Sequence, residues 1–173
     1  MRLQAMTKLI AGTAFIAVLG MSGSMAAQSG ANTVLKPADL GKVFPATVFY
    51  SGQTAPVQMR NTGGVKFTDG RYVLAGLVDT SGYSSGVAAK YQGYLILEVP
   101  LTIGGKHLPA GAYGFGFLAG GKFLVTDLGG HDVLTAHSAT DAALSRPRPL
   151  EVTAAPAGGF RLYAGRAYVE FNR

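Results

Sequence analysis

Paired glycines punctuate this chain at Gly63–Gly64, Gly104–Gly105, Gly120–Gly121 and Gly129–Gly130, and the runs between them alternate apolar and polar residues. Two adjacent glycines take φ > 0 at both central positions of a tight hairpin at no steric cost, so such pairs mark chain reversals. Turn signals recur about every 8–12 residues, and few connections are long enough for a parallel crossover. The spacing argues against an α/β chain. It predicts an all-β domain of roughly eight to ten strands, an antiparallel β-sandwich or a small β-barrel.

The organising stretch is Tyr91–Leu128. Within it Leu95, Leu97, Val99, Leu101 and Ile103 share one face at period two, the pattern of a strand, or a bent pair of strands, with one buried side. Gly104–Gly105 and Pro109-Ala110-Gly111 turn the chain, and Gly120–Gly121 closes a hairpin onto Phe123–Leu128. Tyr113, Phe115 and Phe117 face one way and Gly114 and Gly116 the other. This G-x-G opens no helix, so it is no dinucleotide fingerprint, and no cofactor is implied. The two glycines instead predict a place where an aromatic ring or a backbone packs close, or where the sheet bends.

Further strands are predicted at Thr47–Tyr50, Pro56–Arg60, Val65–Phe67 and Arg71–Asp79, with closing strands at Leu150–Ala154, Phe160–Ala164 and Arg166–Phe171. Asn61–Gly64 reads as a turn, Thr80–Gly86 as a loose loop and Val87–Tyr91 as the approach to the central block. Pro37 sits early in a possible helical turn at Leu35–Leu40. One short helix is expected over Thr140–Ser145, capped by Ser138 or Thr140 with Asp141 in its first turn, and stopped by Pro147 and Pro149.

The N-terminus carries Arg2 and Lys8, then the apolar run Leu9–Met21, then small residues with Ser24 and Ala26 at the −3 and −1 positions. That is the pattern of a secretory signal peptide over residues 1–26, cleaved after Ala26, with Ala27 as the alternative. The run falls short of the ~20 apolar residues a bilayer span needs. The expectation is an exported chain, periplasmic or extracellular, without a transmembrane segment after cleavage. There is no cysteine, which excludes a lipoprotein anchor, disulfides, thiolate metal sites and a cysteine nucleophile. Residues 27–40 read as a flexible lead-in and residues 41–173 as a single β-domain.

The chain has 15 basic and 9 acidic residues; two basic ones lie in the signal peptide, so the mature chain carries +4. Its lysines and arginines are strewn singly rather than clustered, which argues against a nucleic-acid partner.

The densest polar group is Asp127, His131, Asp132, His137 and Asp141. Imidazole and carboxylate together suit zinc, manganese or non-haem iron, and this defines a candidate metal set of His131, Asp132, His137 and Asp141. The competing reading gives them turn, cap and surface roles, since Asp is common after glycine turns and at helix starts. Glu98 points away from the aliphatic row together with Tyr94 and Ile96, towards solvent in a sandwich or into a lumen in a barrel. No G-x-S-x-G is present, and Ser81, Ser84 and Ser85 have no local base. Tyr83 in its Ser/Gly loop, with Tyr91, Tyr94 and Glu98, forms the candidate contact surface, because loops on rigid β scaffolds carry recognition. A small apolar or sugar ligand, or an envelope protein, is the expected partner.

The wording GYLILEVPLTIGGKHLPAGAYGFGF, with its I-x-G-x-x-L-P-A-G-x-Y core at Ile103–Tyr113, resembles a group of exported bacterial β-domains of unknown function. VLAGLVDTSGYSS and RPRPLEV…RLYAGRAYVEF are similar to the same group, so the likeness covers most of the mature chain. It implies a secreted, mostly β domain and carries over no activity or catalytic residue. Three functions follow from the residues: a non-enzymatic binding or envelope-interaction module; a hydrolase or metal-dependent enzyme using His131, His137 and Glu98; and a structural subunit assembling through an exposed edge at Arg166–Phe171.

Overall fold

A computed structural model describes residues 31–173; the expected signal peptide and residues 27–30 lie outside them. The chain begins with β1 (Thr33–Leu35), α1 (Pro37–Leu40), β2 (Thr47–Tyr50), β3 (Gln53–Lys66), β4 (Tyr72–Val78) and α2 (Ser85–Lys90). The central block follows as β5 (Gly93–Leu97), β6 (Leu101–Ile103), β7 (Lys106–Leu108), β8 (Gly111–Leu118), β9 (Lys122–Thr126) and β10 (Asp132–His137). It closes with β11 (Ala139–Thr140), β12 (Arg148–Ala154), β13 (Phe160–Gly165) and β14 (Ala167–Asn172).

Every strand pairing is antiparallel, and the strands form two sheets. One runs β1-β3-β4-β5-β8-β9-β10, with β2 hydrogen-bonded to β3; the other runs β12-β13-β14-β6-β7, with β11 on β14. The architecture is the expected all-β sandwich, and no closed barrel forms among the described residues. The fourteen strands among the described residues exceed the predicted number because several of two to four residues escape a periodicity argument. No helix among the described residues is long and apolar enough to cross a membrane.

The aliphatic row is the bent pair of strands that its period allowed. Leu95 and Leu97 belong to β5 in the larger sheet, Leu101 and Ile103 to β6 in the smaller, and Val99 sits at the corner. All five are buried in the core between the sheets, with Phe115, Phe123, Leu162 and Phe171. The chain thus leaves the larger sheet after β5, makes the β6–β7 hairpin in the smaller, and returns at β8 to pair with β5. Gly104 and Gly105 have φ of 54° and 79°, the left-handed turn predicted between those hairpin strands.

A second apolar cluster covers the other face of the larger sheet. Leu40, Phe44, Val48, Tyr50, Leu74, Val78, Tyr91 and Tyr94 are buried there. This corrects the expectation for the back of β5: Tyr94 is buried, Ile96 is half-buried, and only Glu98 faces water. The N-terminal segment supplies the cover. The expected lead-in is structured from Thr33: β1 pairs with the end of β3, and α1 buries Leu40 completely.

Three local readings are also corrected. No helix forms over Thr140–Ser145, because Ala139 and Thr140 pair with Tyr168 and Ala167 of β14. Asp141 accepts the Ala143 N–H in a tight turn, and the Arg166 guanidinium donates to the Ala142 and Leu144 carbonyls, fixing that turn. The approach to the central block is helical: α2 starts on Ser84, whose hydroxyl accepts the Val87 N–H at 3.4 Å. Gly63–Gly64 is not a turn but the interior of β3, beyond a register shift between Val57 and Thr62. A Cβ at Gly63 would stand 3.0 Å from the Val152 backbone nitrogen, so Gly63 lets β12 approach β3 closely, and one at Gly64 would stand 2.5 Å from the Val73 carbonyl oxygen of β4.

Candidate functional site

The tyrosines expected to form a contact surface converge, but inward. Tyr50 and Tyr91 stack with ring centroids 3.7 Å apart and planes 11° from parallel. Tyr83 meets both edge-on, at 6.2 Å from Tyr50 and 5.3 Å from Tyr91. Gly114 makes room for the stack, since a Cβ there would lie 2.5 Å from Tyr50 Cε2 and 2.9 Å from Tyr91 Cδ2. Gly116 does the same for backbone: its Cβ would overlap the Lys90 carbonyl oxygen at the end of α2. The G-x-G of β8 is therefore a packing motif, one glycine for an aromatic ring and one for a main chain, as its place in a strand predicted.

Three of the cluster's hydroxyls differ in how they are satisfied. The Tyr50 hydroxyl and Thr126 Oγ1 share a hydrogen bond of 2.7 Å, and Tyr83 donates to the Tyr50 and Gln53 carbonyls at 3.0 and 3.2 Å. The Tyr91 hydroxyl is buried with no partner among the described residues. Burial, reinforced by Tyr83, Tyr94 and Tyr50, pushes the Tyr91 phenol far above its ordinary range. The Thr80–Gly86 loop is pinned as well, because Gln53 Nε2 donates to Gly82 O and Asp79 accepts the Ser81 N–H. Tyr91 and Tyr94 are thus parts of the interior, and Tyr83 packs half-buried against them. Glu98, though exposed, uses its carboxylate to accept the Tyr72 N–H at 2.7 Å, stitching the corner between the sheets.

The candidate metal residues are dispersed. Asp127 accepts the N–H groups of Gly129 and His131 and sits 3.0 Å from His131 Nδ1, closing the β9–β10 turn. The His131 backbone donation is the main cause holding the Asp127 carboxyl below its usual range. Asp132 pairs with Lys90 at 3.1 Å, tying β10 to α2. His137 ends β10 opposite Lys122, about 20 Å along the strand from His131. Asp141 accepts the Tyr163 hydroxyl at 3.1 Å. Among the described residues no three His, Cys, Asp or Glu side chains converge on a metal position. The double substitution His131→Ala, His137→Ala is accordingly expected to move stability by less than about 0.5 kcal/mol. A chelator is expected to leave the melting temperature of the unaltered chain unchanged, and calorimetry with and without EDTA checks both.

One constellation escaped sequence reasoning, on the outer face of the smaller sheet. Leu162, Val169 and Phe171 point into the core, so their neighbours Arg161, Tyr163, Tyr168 and Glu170 point out. The β13–β14 register sets Arg161 against Glu170 and Tyr163 against Tyr168. Arg161 Nε and Nη2 donate to Glu170 Oε1 at 2.9 and 2.8 Å, and its guanidinium lies 4.3 Å from the centre of the Tyr168 ring. Tyr163, against Tyr168 at 5.2 Å, completes the network through Asp141. The alternation in Arg161–Tyr163 and Tyr168–Glu170 about the Gly165–Arg166 turn marks which side chains point out, while their pairing is set by the hairpin register.

Two clefts flank Glu170. One of about 310 Å³ is lined by Gly104, His137, Ala139, Tyr168, Val169 and Glu170. The other, about 330 Å³, is lined by Thr102, Gly104, Gly105, Gly158, Glu170, Phe171 and Asn172. They lie where the far edge of β14 passes from β11 to β6, bridged by the Gly104 N–H to Glu170 carbonyl bond of 3.1 Å. β14 therefore lies inside its sheet, between β13 and β11/β6, which removes the exposed edge expected at Arg166–Phe171. Compared with family models, curated proteins and solved structures, the chain matches none.

Proposed function

We propose that this chain is an exported bacterial, non-enzymatic binding module of the cell envelope, with the outer face of the β12-β13-β14-β6-β7 sheet as its contact surface. The observation that carries the reading is the Arg161–Glu170–Tyr168–Tyr163–Asp141 network, a set of charged and aromatic groups fixed in place beside two clefts. Preorganised polar and aromatic groups lose little freedom on association, which favours recognition. Export is supported by the basic, apolar and small-residue order of residues 1–26 and by the resemblance carried by Ile103–Tyr113. The enzyme alternative loses its support, since His131, His137 and Glu98 sit in separate turns, strand ends and corners.

The test is site-specific photo-crosslinking in the cell that makes the protein. A benzophenone side chain is placed at Thr153 or His107, which the strand register puts on this face, and at Phe49 on β2 as the comparison. Adducts of defined mass at the first two positions and not at Phe49 are expected. Adducts confined to Phe49, or none at any position, overturn the reading.

A further inference from the structure

The clefts beside Glu170 also bear on what is bound. Glu170 is the only carboxylate among their lining residues, the His137 imidazole is the one other ionisable group, and Arg161 already neutralises Glu170 at 2.8–2.9 Å. A phosphate, a carboxylate or an amine would find no permanently charged, unpaired side chain there. Polar groups are nonetheless offered: Glu170 Oε2 accepts no hydrogen bond from the described residues, and Thr102 and Asn172 line the second cleft. A purely apolar ligand would strip water from these groups without replacing its hydrogen bonds, which is costly. Beside them stands an apolar wall. Tyr168, its ring held by the Arg161 guanidinium, lines the first cleft with Ala139.

From these features, and building on the contact surface proposed above, we infer that the two clefts form one trough for a neutral saccharide chain. The Tyr168 ring packs against the C–H face of one sugar ring, and Glu170 Oε2 accepts hydrogen bonds from its hydroxyls. Tyr168 to Asn172 spans about 14 Å of strand, longer than a single pyranose, so the ligand is an oligosaccharide rather than a monosaccharide. Neutral hydroxyls donate and accept at once, which suits a site whose charges are already paired.

The experiment uses amide NMR of the full exported chain titrated with neutral trisaccharides, α- and β-linked hexoses and N-acetylhexosamines, alongside a trigalacturonate and a triamine. At least one neutral trisaccharide is expected to shift the amides of Gly104, Tyr168 and Glu170. Tyr168→Leu is expected to weaken that binding by about tenfold or more, as truncation of a binding hot spot does. The isosteric Glu170→Gln should weaken it too, and the wild-type shift map locates the site if Tyr168→Leu fails to fold. No shift from any neutral trisaccharide at about 10 mM, shifts elsewhere on the chain, or binding only of the uronate or amine overturns the inference. Crosslinking on this face without saccharide binding means that the ligand class is wrong; failure of both tests means that the contact surface is wrong.

Discussion

A single methyl group added at position 116 is expected to destabilise this protein by roughly 2–3 kcal/mol. The Gly116→Ala side chain would overlap the carbonyl oxygen of Lys90, a backbone atom that no rotamer change can move. Relief requires α2 to lift from β8, which disturbs the bond from Gln92 N–H to Phe115 O and the two bonds the Gln92 side chain makes to Phe117. Urea denaturation reads the effect as a fall in midpoint at unchanged slope. An unchanged midpoint would mean that α2 yields freely, and that the second core does not depend on its docking.

The opposite sign is expected at Tyr91. Its hydroxyl is buried without a partner among the described residues, so Tyr91→Phe removes an uncompensated desolvation cost and stabilises by about 1–2 kcal/mol. Tyr50→Phe, a chemically identical change one ring away, destabilises, because it leaves Thr126 Oγ1 buried without its 2.7 Å partner. The alkaline behaviour of Tyr91 follows from the same burial. Its folded-state pKa is raised above that of the unfolded chain, so its contribution is fully present below about pH 10. Above that the unfolded chain releases the proton first, and stability falls as pH climbs towards the elevated folded value. Tyr91→Phe flattens that fall, and unfolding curves at neutral pH and above pH 10 test it. Destabilisation of Tyr91→Phe at neutral pH would show that the hydroxyl is satisfied after all.

The contrast between these residues indicates what the sequence could carry. Period-two alternation between Leu95 and Ile103 placed five buried side chains correctly, because a strand has only two faces and one of them is apolar. The glycines at 104 and 105 were legible because few other residues tolerate their φ values. The second core was not, since Leu40, Phe44 and Val48 lie in short segments with no period to extend. A clue was present in β4, whose run Tyr72–Val78 is apolar without interruption, the mark of a strand covered on both sides. Asp141 misled for a related reason: its preference for turns is local, and it fits a tight turn as well as a helix start. The Arg161–Glu170 pair depended on knowing that β13 and β14 are partners in that register, which only the folded hairpin fixes.

The excursion of the β6–β7 hairpin has a consequence for how the molecule comes apart. Its strands are borrowed by the smaller sheet from between two neighbours in the larger one, β5 and β8, which hydrogen-bond directly across the point of departure. The smaller sheet thus draws on sequence as early as Leu101 and as late as Asn172, and the larger one encloses that loan at both ends. Neither sheet is a contiguous stretch of chain that can be excised. Melting one takes strands from the other, which binds both into one cooperative unit with a high contact order, slow to assemble and prone to fail as a whole.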